Sequence, residues 1–222
     1  EVLRKKGLEY SYPALYFGCA GLLYACGDGP ERILLLGFAG TAGLWGCIHR
    51  LLLPGLERMV SERWSDHGEK LVYMGLFRED LKMSRAYLVL FISAANILCS
   101  MMAGTVQNSG EFALCLLSFA VVIPLLAMSL MFRFATEAAD RRSQFATLRK
   151  IGYVEEQIAR IKTRELLWLY GFLMGASLVY IFNIVLVLGI HGLMPAGVGA
   201  GILGIFAGSL GICGFINRRQ YI

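Results

Sequence analysis

Seven residues in one short stretch have the types and spacing of a recognition surface: Arg141, Arg142, Phe145, Leu148, Arg149, Lys150 and Gly152. They lie within DRRSQFATLRKIGYVEEQIARIKTR, Asp140 to Arg164, a charged insert between two long apolar runs. At about 100° per residue, Phe145, Leu148 and Ile151 share one arc of a helix, while Arg142, Arg149 and Lys150 lie off it. Glycine tolerates the left-handed backbone that ends helices. The spacing therefore predicts a short amphipathic helix, a turn at Gly152 and a second helix entering the membrane at Leu166. An apolar arc beside a basic one fits either a groove on a protein partner or the surface of anionic lipid.

Bond-making chemistry has no comparable set. There is no Gly-x-x-x-x-Gly-Lys-Ser/Thr cradle for ATP phosphates, no zinc-binding HExxH and no Ser/His/Asp arrangement. No catalytic residue and no metal ligand is assigned, and no cofactor is expected in this chain. Cys19, Cys26, Cys47, Cys99, Cys115 and Cys213 stand at unrelated spacings in or beside apolar runs and read as small packing residues. Cys26 and Cys115 both fall near the predicted outer surface, where the sequence leaves a disulfide open. His67 is isolated among charges and reads as a surface residue.

The elements that position the insert follow from composition. Of 222 residues, 57% are hydrophobic and only 17% charged, which places the chain in a bilayer. The net charge of +5 does not point to nucleic acid, because the cations flank apolar runs and form no stripe with interleaved aromatics. The expected fold is all-α and polytopic, with about six transmembrane helices. Two spans, Tyr12 to Cys26 and Arg32 to Leu53, fill residues 1–53. Residues 54–85 read as an amphipathic cytoplasmic linker, and residues 86–222 as a core of four further spans carrying the insert at 137–164. Those four are Ala86 to Ala103, Phe112 to Phe132, Leu166 to Ile190 and Ala196 to Ile216. Residue 1 is Glu and no signal peptide is visible, so the chain is expected to begin inside a longer product or after a removed segment.

Orientation follows from the cations. With both termini and both polar segments inside, 20 of the 21 Lys and Arg are cytoplasmic and only Arg32 lies opposite. That bias predicts an N-in, C-in protein. No span carries a deep acid or base of the kind that marks ion pathways. Asn96 and Asn183 are the buried amides and are expected to hydrogen-bond across the bundle. Ala39, Gly43 and Cys47 form one small-residue face, and Ala196, Ala200, Gly204 and Gly208 form the strongest close-packing row.

The wording of the insert, Asp140-Arg141-Arg142-x-x-Phe145-x-x-Leu148-Arg149-Lys150-Ile151-Gly152, resembles the cytoplasmic coupling segment of FtsX-like ABC-transporter permeases. The likeness extends more loosely over the last four spans. Glu69 to Arg85 is similar to the corresponding region of bacitracin-type peptide-resistance permeases, whose last six spans the whole chain resembles. The resemblance implies a bacterial plasma-membrane permease without catalysis of its own, driven by a separate ATPase subunit that carries ATP and Mg. It also implies a second permease subunit or a homodimer, contact with membrane lipid, and a sensor kinase among the partners. Antimicrobial-peptide resistance or export of a lipid-linked substrate is the implied role. A non-transporting assembly or sensor subunit, packing with partner helices through Ala200, Gly204 and Gly208, is the alternative.

This chain departs from the family pattern at three places. Gln144 stands where an acid is common. Val154 stands where Ser or Thr usually caps the second helix, at a cost of about 1 kcal/mol that Glu155 and Glu156 partly offset through the helix dipole. Gly104 to Glu111, eight residues, replaces a large extracellular domain and is too short to capture a substrate.

Overall fold

The computed structural model describes residues 2–26, 29–63 and 68–221, with side-chain surroundings for 11–25, 29–58, 68–134, 136 and 145–219. Its helices are α1 (Val2–Cys26), α2 (Pro30–Cys47), a π-helical turn (Ile48–Leu52), α3 (Leu53–Arg63), α4 (Gly68–Gly104), α5 (Ser109–Lys150), α6 (Glu155–Ile190) and α7 (Ala196–Tyr221). Among the described residues five helical stretches are long and apolar enough to cross a bilayer, as a multi-pass membrane protein requires: Pro30–Arg58, Gly68–Gly104, Ser109–Phe134, Glu155–Ile190 and Ala196–Arg219. α1, expected as the first span, is not one of the five.

Helix α2 is the axis of the N-terminal half because its glycines recur every third residue. Three residues turn a helix through about 300°, so each successive glycine faces about 60° further round. Gly37 faces α4, where a Cβ would lie 2.2 Å from the Asn96 amide; Gly40 faces α6, 2.7 Å from the Tyr180 hydroxyl; Gly43 faces α1, 2.9 Å from the Tyr16 backbone nitrogen. Gly46 continues the row onto the Tyr12 ring. Of the expected Ala39–Gly43–Cys47 face, Gly43 makes such an approach, and the glycine row runs at i+3. The pairs Gly43/Tyr16 and Gly46/Tyr12 also make α1 and α2 antiparallel.

One cross-section of the bundle is marked by arginines laid over aromatic rings. Arg50 covers Tyr12 at 5.5 Å, Arg85 covers Trp45 at 5.0 Å, Arg133 covers Tyr87 at 4.9 Å and Arg219 covers Phe215 at 5.2 Å. Contacts tie these to a single level: Arg85 to His49, Arg133 to the Met83 carbonyl, Phe134 to Tyr170, and Asn217 to the Tyr170 hydroxyl. From Arg85 to Gly104, and from Tyr170 to Ile190, the helices rise about 30 Å at ~1.5 Å per residue, the thickness of bilayer hydrocarbon. The girdle is thus where a guanidinium and an amphipathic ring sit best, at the edge of the apolar slab.

Three helices continue past the girdle, and the structure changes the expected domain plan here. Of the expected amphipathic linker, 54–85, the described residues are helical: α4 runs unbroken across position 85, and Tyr73, Met74, Phe77 and Leu81 are buried. They share one apolar core with Ile161 of α6, and Arg160 reaches Glu69 at 3.9 Å while Phe77 meets Phe172 edge-on. The carboxylates of Asp80 and Glu165 and the Ser84 hydroxyl lie inside this stalk. Asp80 reads in the sequence as one solvated charge among many. The stalk extends about 25 Å beyond the girdle at ~1.5 Å per residue.

Candidate functional site

At the far end of the stalk α5 stops and α6 begins, and the turn between them is built by backbone geometry. Tyr153 N–H donates to the Leu148 carbonyl at 3.2 Å and Gly152 N–H to the Arg149 carbonyl at 3.1 Å, the paired bonds of a Schellman ending, with Gly152 at φ +106°. Val154 gives α6 no side-chain cap, but the Gln157 amide oxygen accepts the Val154 N–H at 3.1 Å. An Arg149–Glu155 ion pair of 2.8 Å spans the turn. Position 157, and not the two glutamates alone, answers the missing Ser or Thr.

This turn yields a clean prediction. A Cβ at Gly152 would meet nothing within 4 Å, so Gly152→Ala strains only the backbone. We expect a loss of about 1–2 kcal/mol in unfolding free energy, the cost of placing an L side chain in the left-handed region. Loss of less than a few tenths would show that the turn relaxes freely.

The coupling segment itself differs from expectation in two ways. It is no separate helix: residues 137–150 are the last turns of the 42-residue α5, which passes without interruption from the bilayer level to the tip. Phe145 also faces inward. Its side chain is 7% exposed and the Lys162 ammonium sits 4.5 Å from the ring centroid. The reason is that α4 continues past the girdle and offers Phe145 an apolar partner surface, which a linker would not. A cleft of about 420 Å³ remains between α4 and α5, lined by Leu71, Val72, Leu76, Phe145 and Leu148.

What the tip shows outward is a different set. Ile151 is 70% exposed and Val154 61% exposed, flanked by exposed Arg149 and Lys150. Leu148 is half-buried. Arg141 and Arg142 belong to the α5 backbone, but their side chains, like that of Gln144, lie outside the described residues, as does His67. The signal in the sequence for Val154 is an apolar residue at a helix cap, where it counts only as a weak cap.

Within the bilayer level the two amides join helices. Asn183 accepts from the Tyr24 hydroxyl at 2.8 Å, linking α6 to α1, and Asn96 donates to the Leu34 carbonyl at 3.2 Å, linking α4 to α2. Asn96 is fully buried and its Oδ1 has no partner among the described residues. Ala196, Ala200, Gly204 and Gly208 do not pack within the chain. All four are exposed, and a Cβ at Gly204 or Gly208 would meet nothing within 4 Å. α7 instead approaches α6 through Gly199, against Val185, and Gly214, against Tyr170. The i, i+4 row faces away from the bundle because residues 199, 202, 206, 210, 213 and 217 point the other way and are the buried ones.

Cys115 is a free buried thiol, which removes the disulfide that the sequence left open. Among the described residues no three His, Cys, Asp or Glu side chains converge as metal ligands would. The arrangement is two long helices joined at a turn that exposes apolar and basic side chains. Comparison with protein-family models, curated proteins and solved structures gives no match.

Proposed function

We propose that the chain is a permease subunit of an ABC transporter of the FtsX-like kind, moved by a separate ATPase subunit that docks on the stalk tip. One observation carries this reading: α5 and α6 each run as a single helix from the tip turn at Gly152 into the apolar bundle, so a displacement applied at the tip is delivered across the bilayer. The tip residues that engage the ATPase are Ile151 and Val154, with Arg149 and Lys150 at the rim. Phe145 and Leu148 hold the tip in place from behind.

In this reading all six apolar helices span, α1 included, both termini and the stalk are cytoplasmic, and the membrane is a bacterial plasma membrane. The girdle supports that orientation, because the cations gather on its stalk side. ATP and Mg belong to the partner. A second permease subunit or a second copy completes the pathway, antimicrobial peptides or lipid-linked molecules are the substrate classes, and a sensor kinase is a further partner. The outward row at Ala200, Gly204 and Gly208 favours a second reading, a non-transporting subunit that packs with partner helices.

The test uses residues whose replacement leaves the fold intact. Ile151→Asp with Val154→Asp alters two exposed side chains and should change stability by no more than about 0.5 kcal/mol. Purified from its host in mild detergent, the unaltered protein is expected to bring an ATP-hydrolysing polypeptide with it, and the double variant to lose at least nine-tenths of that activity, roughly the tenfold that ~1.4 kcal/mol represents. Full retention would refute tip docking. A complex containing partner helices and no ATPase would favour the second reading.

A further inference from the structure

We propose that Arg50, Lys82 and Arg85 form a binding site for the phosphate of an anionic phospholipid headgroup, an inference independent of any ATPase partner. The site sits where the π-helical turn follows α2. There Leu53 N–H bonds back to the Ile48 carbonyl, one residue further than in an α-helix, and the wider turn leaves both His49 and Arg50 exposed. Across from it, Arg85 of α4 donates to His49 Nδ1 at 2.8 Å with its guanidinium over the Trp45 ring. Arg can only donate, so Nδ1 is the acceptor and the imidazole holds Arg85 without neutralising it. Lys82, nearly one turn away on α4, is exposed.

Three features single out a lipid phosphate. Among the described residues no acid pairs with Arg50, Lys82 or Arg85, whereas Arg78, nearby on α4, is paired with Glu57 at 3.0 Å and Arg149 with Glu155. Among the described residues, exposed Arg50 and Lys82 and half-buried Arg85 therefore carry no counter-charge. Second, Arg50 and Arg85 are stacked on Tyr12 and Trp45, which orders the planar forks that suit phosphate oxygens. Third, these pairs lie at the girdle, the depth at which headgroups meet the hydrocarbon edge. A soluble anion would have no reason to be matched to that depth, and the aromatic flanks suit the acyl-glycerol region directly above a phosphate.

The experiment places the whole chain in nanodiscs of phosphatidylcholine, alone or doped with phosphatidylglycerol, and counts retained lipid by native mass spectrometry after extraction. The unaltered protein should retain phosphatidylglycerol over phosphatidylcholine by about tenfold or more, the scale that ~1 kcal/mol per surface cation implies. Arg50→Gln with Arg85→Gln should lose most of that preference while melting like the unaltered protein in phosphatidylcholine. Lys150→Gln, at the distant tip, should keep it. If the double variant does not fold, Lys82→Gln alone, at an exposed side chain, must lower the preference several-fold. Equal retention of the two lipids by the unaltered protein would overturn the proposal, and so would an undiminished preference in the variants. Displacement of phosphatidylglycerol by millimolar inorganic phosphate would instead assign the cluster to a free anion and overturn the lipid site.

Discussion

Phe145→Ala is expected to lower the unfolding free energy by about 3 kcal/mol, near the lower end for deleting a buried aromatic ring. The ring is 7% exposed, packs where α4 and α5 meet, and carries the Lys162 ammonium 4.5 Å above its face. Truncation leaves a void continuous with the 420 Å³ cleft and removes a cation–π contact of about 0.5–1 kcal/mol. Thermal unfolding in detergent, followed by loss of helicity, checks this. Leu148→Ala, at a half-buried site on the same cleft, should cost about half as much or less. Equal, negligible costs for both would mean that Phe145 is a surface residue after all, available to a partner as the resemblance implied. The contrast matters for any docking assay: a substitution at Phe145 damages the stalk itself, so lost association would not locate the contact.

The second large effect is at the notch between α2 and α4. Gly37→Ala would set a methyl group 2.2 Å from the Asn96 amide, and that amide is held by its bond to the Leu34 carbonyl while Tyr180 donates to the Gly37 carbonyl. Nothing flexible can give way, so a cost of about 2–3 kcal/mol is expected, at the upper end for overpacking. Asn96→Ala alone should cost about 1 kcal/mol, since it removes one interhelical hydrogen bond but also relieves an orphaned Oδ1. The double variant should be more stable than Gly37→Ala by at least about 1 kcal/mol, because the smaller residue vacates the space the methyl needs. Additive losses in that cycle would show that the two positions do not touch.

Much of the bundle was legible because bilayer spans declare themselves by length and apolarity. The span read from Arg32 begins two residues earlier, at Pro30, and Gly152 marks the end of α5 through the one backbone geometry that favours glycine. Asn96 and Asn183 could be placed as cross-bundle donors and acceptors because a polar amide at that depth needs a partner. Which partner was not legible, since it depends on the crossing of α2, α4 and α6, and no sequence period encodes a crossing. The glycine row at 37, 40, 43 and 46 was present in the sequence, but a period of three slides round the helix and reads as scatter when one face is sought.

The stalk read as an amphipathic linker, and its burial was missed for a related reason. Residues 68–85 carry Glu, Lys, Arg and Asp at a density that reads as solvent, yet Tyr73, Met74, Phe77 and Leu81 form one face at helical spacing, and that face needed α5 and α6 opposite it to become a core. The same absence of a known partner turned the Phe145 arc into an outward one. On α7 the small residues read as a close-packing row lie outward, while the larger Ile202, Phe206 and Leu210 on the other side are those that fill the bundle.

The measurement that bears most directly on the account is photo-crosslinking in the host from a reactive residue placed at position 151, with each adduct identified by mass. The account predicts a single protein adduct that binds a nucleotide analogue and disappears when Val154 becomes Asp. Adducts to lipid alone, or to a protein without a nucleotide site, would contradict it.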